Sequence, residues 1–184
     1  MWRWLAAWLV VFSCGARAEA GVPICYGYGC LVQVTIHYTD GQLGQVRRLL
    51  YSAVDAKNER KMISEAIGRM YRWGGEQSDI HNDRGGNFAD DNVAGKMDCI
   101  DHSTSTTRLL QLLEARGYLR WHRVLATDVR YFAGIFPAHW SAVVEETGGD
   151  SPGRFVVDSW FVDNGQPAVI LPLEEWKKGA GPDV

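Results

Sequence analysis

Asp98-Cys99-Ile100-Asp101-His102-Ser103-Thr104-Ser105-Thr106-Thr107-Arg108-Leu109-Leu110-Gln111-Leu112-Leu113-Glu114-Ala115-Arg116-Gly117 reads as one helix with a cysteine at its mouth. Asp98 stands where an N-cap carboxylate would take the first orphan N–H groups. Leu109, Leu110, Leu112 and Leu113 supply an apolar face, and Gly117 is a C-terminal stop. Ser103 to Thr107 are poor helix formers, so tertiary packing must hold that stretch. Their small hydroxyl side chains suit a central helix that approaches a sheet closely.

Outward from this helix the chain divides in two. Downstream, Trp121–Ala126, His139–Glu146, Arg154–Trp160 and Ala168–Leu171 alternate or run apolar between Gly, Pro and Asp turns, and read as strands. Upstream, Leu31–Tyr38 reads as a strand, while Gln45–Tyr51 and Asp55–Trp73 read as helices. In the second helix Met62, Ile63, Ala66, Ile67 and Met70 form a stripe of helical period. Gly75 to Met97 is polar and glycine-rich, the longest loop, and it leads directly to Cys99. Helices followed by strands predict an α+β fold, with the central Cys99 helix packed on an antiparallel sheet.

Two strands give Cys99 candidate partners. His139 opens one and Asp158 closes the run Arg154-Phe155-Val156-Val157-Asp158 of the next. Facing residues of an antiparallel pair share a sheet face, and so do diagonal ones two positions off. Because 139 and 158 have an odd sum, any odd-sum register puts both side chains on one face. A helix start favours a thiolate through its N–H groups and dipole. His139 could then take the thiol proton, with Asp158 holding its ring. The N–H groups of the helix start are also candidate donors to an oxyanion.

Residues 1–18 read as a secretory signal peptide. Arg3 precedes the short apolar run Leu5–Phe12, and Ala16-Arg17-Ala18 fits a cleavage site. Cutting after Ala20, or lipidation at Cys14, are alternatives. Residues 19–184 then form a single domain, exported to a periplasm or to the medium. The chain's charge of −3 moves to −5 once Arg3 and Arg17 are removed. A mildly acidic chain without a basic run does not suit nucleic acid, and no other segment is long enough for a membrane span. Of the cysteines that remain, Cys25 and Cys30 bracket a glycine-bearing loop and are expected to form a disulfide, which isolates Cys99 as the spare thiol.

Asp98-Cys99-x-Asp101 at a helix start, His139-Trp140 opening a strand and Val156-Val157-Asp158 ending the next resemble the transglutaminase-like cysteine peptidase superfamily. More narrowly, they resemble its bacterial, often exported, cysteine proteinases, over residues 55–176 including Leu171-Pro172-Leu173-Glu174-Glu175-Trp176. The resemblance implies a papain/transglutaminase-like fold and a triad of Cys99 as nucleophile, His139 as base and acid, and Asp158 as orienter. Its substrate would be a protein or peptide, attacked at an amide bond through an acyl-enzyme thioester, with no cofactor. Some relatives bind calcium through acidic residues near the cysteine, and by that resemblance Asp98 and Asp101 are candidate calcium ligands. Ile100 and His102 depart from the family pattern, as does Ser159-Trp160 after Asp158, and these departures leave hydrolysis and transfer both open.

Three other readings compete. Cys99, His102, His139 and Asp158 have the residue types of a zinc site, and the direction of His102 discriminates it from the triad. Asp79-x-His81-x-Asp83 in the long loop is a weak metal-ligand pattern. A binding module on the same fold would use the acidic loop and aromatic residues, with Trp140 and Trp160 as core or cleft wall.

Overall fold

The computed structural model describes residues 19–86, 92–131, 138–148 and 152–182. The signal segment read from residues 1–18 lies outside them, as do Asn87, Asp90 and Asp91 of the long loop. Among the described residues the chain is mixed α+β, with four α-helices and two antiparallel sheets. Strands β1 (Ala20–Tyr26) and β2 (Val32–Tyr38) form a hairpin. Helices α1 (Asp40–Tyr51) and α2 (Ala56–Gly75) follow, then a 3₁₀ turn (Asp79–Asn82) and α3 (Cys99–Ala115). Strands β3 (His122–Tyr131), β4 (Ala138–Glu146), β5 (Arg154–Asp158) and β6 (Val169–Pro172) pair in that order, and the short α4 (Leu173–Lys177) closes the fold. No described helix is long and apolar enough to cross a membrane.

Local chemistry accounts for the helix boundaries. Thr39 and Gln42 form a reciprocal capping box at α1, and Asp55 caps α2 through the Asn58 N–H. Asp98 and Asp101 form another such box at α3, and Gly117 takes φ +66° just past its end. Helix α1 begins five residues before the periodic stretch read from sequence. Its first turn, Asp40-Gly41-Gln42-Leu43-Gly44, is held by the cap rather than by propensity. β1 was not legible in the sequence, because Gly21 and Pro23 are depleted in strands. It forms because β2 pairs with it over its whole length.

Helix α3 lies between β1 of the hairpin and β4 of the larger sheet, in contact with both. The main core gathers Ile63, Ile67 and Met70 of α2, Leu109, Leu110 and Leu113 of α3, Ile24 and Ile36 of the hairpin, and Ala142, Val144 and Val157 of the sheet. A second cluster lies on the other face, where Val143 and Val156 pack with Leu173 and Trp176 of α4. The hydroxyl-rich first half of α3 makes polar contacts at short range. Ser105 Oγ accepts the Cys25 N–H at 2.8 Å, and Thr106 Oγ1 lies 2.8 Å from Ser159 Oγ. Close packing goes with satisfied hydroxyls at Ser103, Ser105 and Thr106, while the buried Thr107 Oγ1 is left without a partner among the described residues.

Candidate active site

The β4–β5 register settles the first geometric question. Ala142 faces Val157 and Val143 faces Val156, an odd-sum register. His139 and Asp158 are therefore diagonal neighbours on one face. His139 Nε2 lies 2.7 Å from Asp158 Oδ2, both side chains buried. A carboxylate only accepts, so the His139 ring nitrogen toward it carries the proton and Nδ1 is left as the basic nitrogen. Trp176 Nε1 donates to the same Asp158 oxygen at 3.0 Å, and the Trp160 N–H donates to Oδ1 at 3.3 Å. Asp158 is thus fixed by groups from β4, α4 and its own turn.

The His139 ring sits among aromatic residues. Ring centroids lie 4.8 Å away at Trp160, 5.4 Å at Phe161 and 5.7 Å at Trp176. Trp160 is a buried wall of the histidine site. Arg130 faces His139 directly across the β3–β4 pair. Its guanidinium lies over Trp176 and Phe161, donates to the Trp176 and Ala180 carbonyls, and is drawn electrostatically toward Asp158. Trp176 closed the stretch that carried the family resemblance, but nothing in its spacing marked it as an Asp158 donor. Arg130 and Phe161 were not identified from sequence at all; the strand read over Trp121–Ala126 continues to Tyr131 and so carries Arg130 beside the site.

Cys99 is the first residue of α3 and is partly buried. The β4–β5 ladder runs only from Ala142 to Glu145 on β4, so the start of β4 lies beyond it, and there the thiol meets the strand. Cys99 Sγ lies 3.8 Å from the Ala138 carbonyl oxygen, a long S–H donor contact, and the Trp140 N–H also acts on the sulfur. The main chain on both sides of His139 therefore touches Cys99. Helix α3 covers the Ala142 and Val144 face, whereas His139 and Asp158 share the Val143 and Val156 face. At the strand end Cys99 meets main-chain groups, the Ala138 carbonyl and the Trp140 N–H, and its hydrogen-bond contacts include neither the His139 ring nor the Asp158 carboxylate.

The surroundings of the thiol oppose its ionisation on balance. Burial pushes the Cys99 pKa above its ordinary value, and the charges of Asp98 and Asp158 push the same way, while the N–H groups of Trp140 and Cys99 oppose them. The N–H of the helix start favours the thiolate as expected, but burial and the two carboxylates outweigh it. Two of the helix-start donors are already taken, because Asp98 Oδ1 accepts from Ile100 and Asp101 at 3.0 and 2.8 Å. Of the first-turn N–H groups, the one beside the sulfur is that of Cys99. The wider set of oxyanion donors expected from sequence is reduced accordingly.

Asp98 and Asp101 face inward to a loop that the sequence did not connect with them. Cys25 and Cys30 form the expected disulfide. Within its turn Gly27, Tyr28, Gly29 and Cys30 all take left-handed φ, from +60° to +82°. For Tyr28 and Cys30 this costs about 1–2 kcal/mol each. The turn aims its N–H groups at the helix start. Tyr28 donates to Asp101 Oδ2 at 2.8 Å, Gly29 to Asp98 Oδ2 at 2.9 Å, and Cys30 to Asp101 Oδ1 at 2.6 Å. All four carboxylate oxygens accept backbone N–H groups, so the chain itself supplies donors to both carboxylates.

Burial and the charge of Asp98 push the Asp101 carboxyl up to about 6, against the backbone N–H donors that favour its anion. Folded Asp101 holds its proton more tightly than the unfolded chain does. Its contribution to stability is therefore complete below its ordinary value of 3.8 and is lost as pH rises through about 6. Asp98→Asn keeps a good N-cap but removes the charge. We expect Asp101 to titrate lower in this variant, read by carboxyl NMR. Cys99 should react with iodoacetamide at pH 8 roughly two- to fivefold faster, the effect of one lost charge worth about 0.5–1 kcal/mol.

His102 points away from the sulfur. Its Nε2 lies 3.0 Å from Asp83 Oδ2 and its Nδ1 lies 2.9 Å from Ser159 Oγ, all three residues buried. With both ring nitrogens engaged, His102 does not join Cys99, and the zinc grouping of Cys99, His102, His139 and Asp158 is not assembled. Asp83 also accepts the Met97 N–H at 2.9 Å, tying the long loop to the approach of α3. His81 Nδ1 meets its own Ser78 carbonyl at 2.9 Å, so the pattern Asp79-x-His81-x-Asp83 does not converge. Among the described residues the one grouping of metal-ligand type is Cys25, Cys30 and Asp101, and its two sulfurs are joined to each other. A groove of 520 Å³ lined by Lys57, Lys61, Ser64, Phe155 and Ile170 contains none of the trio.

Comparison of the chain with protein-family models, curated proteins and solved structures found no match in any of the three.

Proposed function

We propose that this protein is an exported thiol hydrolase or acyltransferase of the transglutaminase-like, papain-like kind, acting on amide bonds of a protein or peptide. The observation that carries the reading is the position of Cys99 Sγ, 3.8 Å from the Ala138 carbonyl, beside a His139 whose Nε2 is bound to Asp158 at 2.7 Å. The upward push on the thiol pKa supports a proton transfer made during the reaction itself. His139 Nδ1 takes the Cys99 proton as sulfur attacks the carbonyl carbon, and returns it to the leaving amine as the thioester forms. Water or a second amine then attacks the thioester, and Cys99 leaves as a thiol with its proton restored by His139. Asp158, held by Trp176, fixes the ring and its tautomer. The Cys25–Cys30 disulfide fits an oxidising compartment.

The test is a covalent one and needs no knowledge of the natural substrate. Incubated with p-nitrophenyl acetate, the protein should release a burst of p-nitrophenolate and carry an acetyl group on the Cys99 peptide by mass spectrometry. Cys99→Ala should show neither while retaining its circular dichroism spectrum. Acetylation spread over lysines, with none on Cys99, would exclude the reading.

A further inference from the structure

We propose that the Cys25–Cys30 disulfide is a reducible switch that sets the reactivity of Cys99, opened by a dithiol reductant. This rests on the proposed role of Cys99 as a nucleophile and adds a regulation of that site. Two observations carry it. The first is the clasp: the disulfide closes a left-handed turn whose three N–H groups hold Asp98 and Asp101, on either side of Cys99. The second is Arg108, whose Nη1 lies 3.4 Å from Cys25 Sγ while the same nitrogen also donates to the Pro23 carbonyl at 2.9 Å and Gln33 Oε1 at 3.0 Å. A cation held against a buried sulfur stabilises the thiolate that leaves when a disulfide is cut.

The buried Cys25 and the partly exposed Cys30 give the exchange a direction. A reductant thiolate attacks Cys30 Sγ, the S–S bond breaks, and Cys25 leaves as a thiolate beside Arg108. The second thiol of the reductant, as its thiolate, then attacks the reductant sulfur of the mixed disulfide and frees Cys30. Two electrons pass from the dithiol, which becomes a disulfide, and its two protons end on Cys25 and Cys30. Without the covalent closure only the hydrogen bonds to Lys96, Asp98 and Asp101 hold left-handed φ at Tyr28 and Cys30 against its cost. The turn relaxes, and Asp98 and Asp101 lose the loop donors that balance their charge. Asp98 already opposes ionisation of Cys99, and that opposition grows.

The experiment measures Cys99 alkylation by iodoacetamide at pH 8 on the full chain, resolved by peptide mass. The oxidised protein is compared with protein reduced by dithiothreitol and desalted without oxygen, and with the Cys25→Ser/Cys30→Ser double variant. Reduction should slow Cys99 about two- to fivefold, no more than the effect of one whole nearby charge, and reoxidation should restore it. In dithiothreitol buffers of graded poise, Arg108→Ala should lower the equilibrium constant for reduction about tenfold, equivalent to about 30 mV, with Arg108→Lys in between. Equal Cys99 rates in the oxidised and reduced protein overturn the switch and leave the acyl-transfer reading standing. A Cys99 inert in both states overturns that reading and the switch together. An unchanged equilibrium in Arg108→Ala removes Arg108 from the mechanism.

Discussion

Asp158→Ala should abolish acyl transfer and also weaken the fold. Three donors converge on this buried carboxylate: His139 Nε2, Trp176 Nε1 and the Trp160 N–H. Truncation leaves all three without an acceptor in a region closed to water, and leaves the Arg130 guanidinium without the nearby negative charge. Each stranded donor costs about 1–3 kcal/mol, not additively, so a total loss of roughly 3–5 kcal/mol is expected. Urea unfolding followed by fluorescence reads it directly, because Trp160 and Trp176 lie at the lesion. Asp158→Asn separates stability from chemistry. It preserves shape and one acceptor oxygen that can still take the His139 Nε2–H, so the fold should lose less, but it lacks the negative charge that stabilises the imidazolium formed as Cys99 gives up its proton. Acylation of Cys99 should then fall by on the order of 10²–10⁴. An Asp158→Asn protein with native acylation rates would remove Asp158 from the orienting role.

The largest effect on stability away from the cysteine belongs to Glu59. This α2 residue is fully buried, and its carboxylate accepts the Arg120 N–H at 2.7 Å, the Trp121 N–H at 2.9 Å and His122 Nδ1 at 2.8 Å. It fastens the helical half to the start of the sheet, at the turn between α3 and β3. Arg60 beside it reaches His122 and pairs with Glu146. Glu59→Ala strands a histidine and two backbone donors at once, for an expected loss of about 3–5 kcal/mol, against a typical total stability of about 5–15 kcal/mol. Burial pushes the Glu59 pKa up, but the bonds from His122, Arg120 and Trp121 outweigh it and hold the pKa below its ordinary value of 4.5. The stability it contributes is therefore complete above pH 4.5 and is lost as pH falls through the depressed folded value. Acid unfolding should show that component in the native protein and lack it in Glu59→Gln. An unchanged midpoint in Glu59→Ala would contradict the assignment.

Sequence and structure agree where short-range chemistry decides and part where distant segments meet. The α3 boundaries were legible because Asp98 and Gly117 are local signals, and the α2 stripe because its period is helical. The pairing of His139 with Asp158 was legible as a parity argument, and the register met it. The missed strand β1 carries Gly21 and Pro23, which argue against a strand, and only pairing with β2 overrides them. His102 could be named as the deciding residue, but its direction depended on Asp83 and Ser159, which are distant in sequence. The clasp on Asp98 and Asp101 was hidden for the same reason. Its donors are the N–H groups of a left-handed turn about seventy residues upstream, and backbone donors leave no side-chain signature. The raised Cys99 pKa follows from that neighbourhood, where burial and carboxylates outweigh the helix start.

The account centres on His139 as the base that makes Cys99 a nucleophile during reaction, since burial and nearby carboxylates oppose ionisation of the resting thiol. The direct measurement is the second-order rate constant for acylation of Cys99 by p-nitrophenyl acetate near pH 7, in the native protein and in His139→Ala, with adducts assigned by peptide mass. The account predicts a fall of on the order of 10²–10⁴ in the variant, the range general-base catalysis supplies. Equal rates within a factor of two, with Cys99 still the residue acylated, would contradict it.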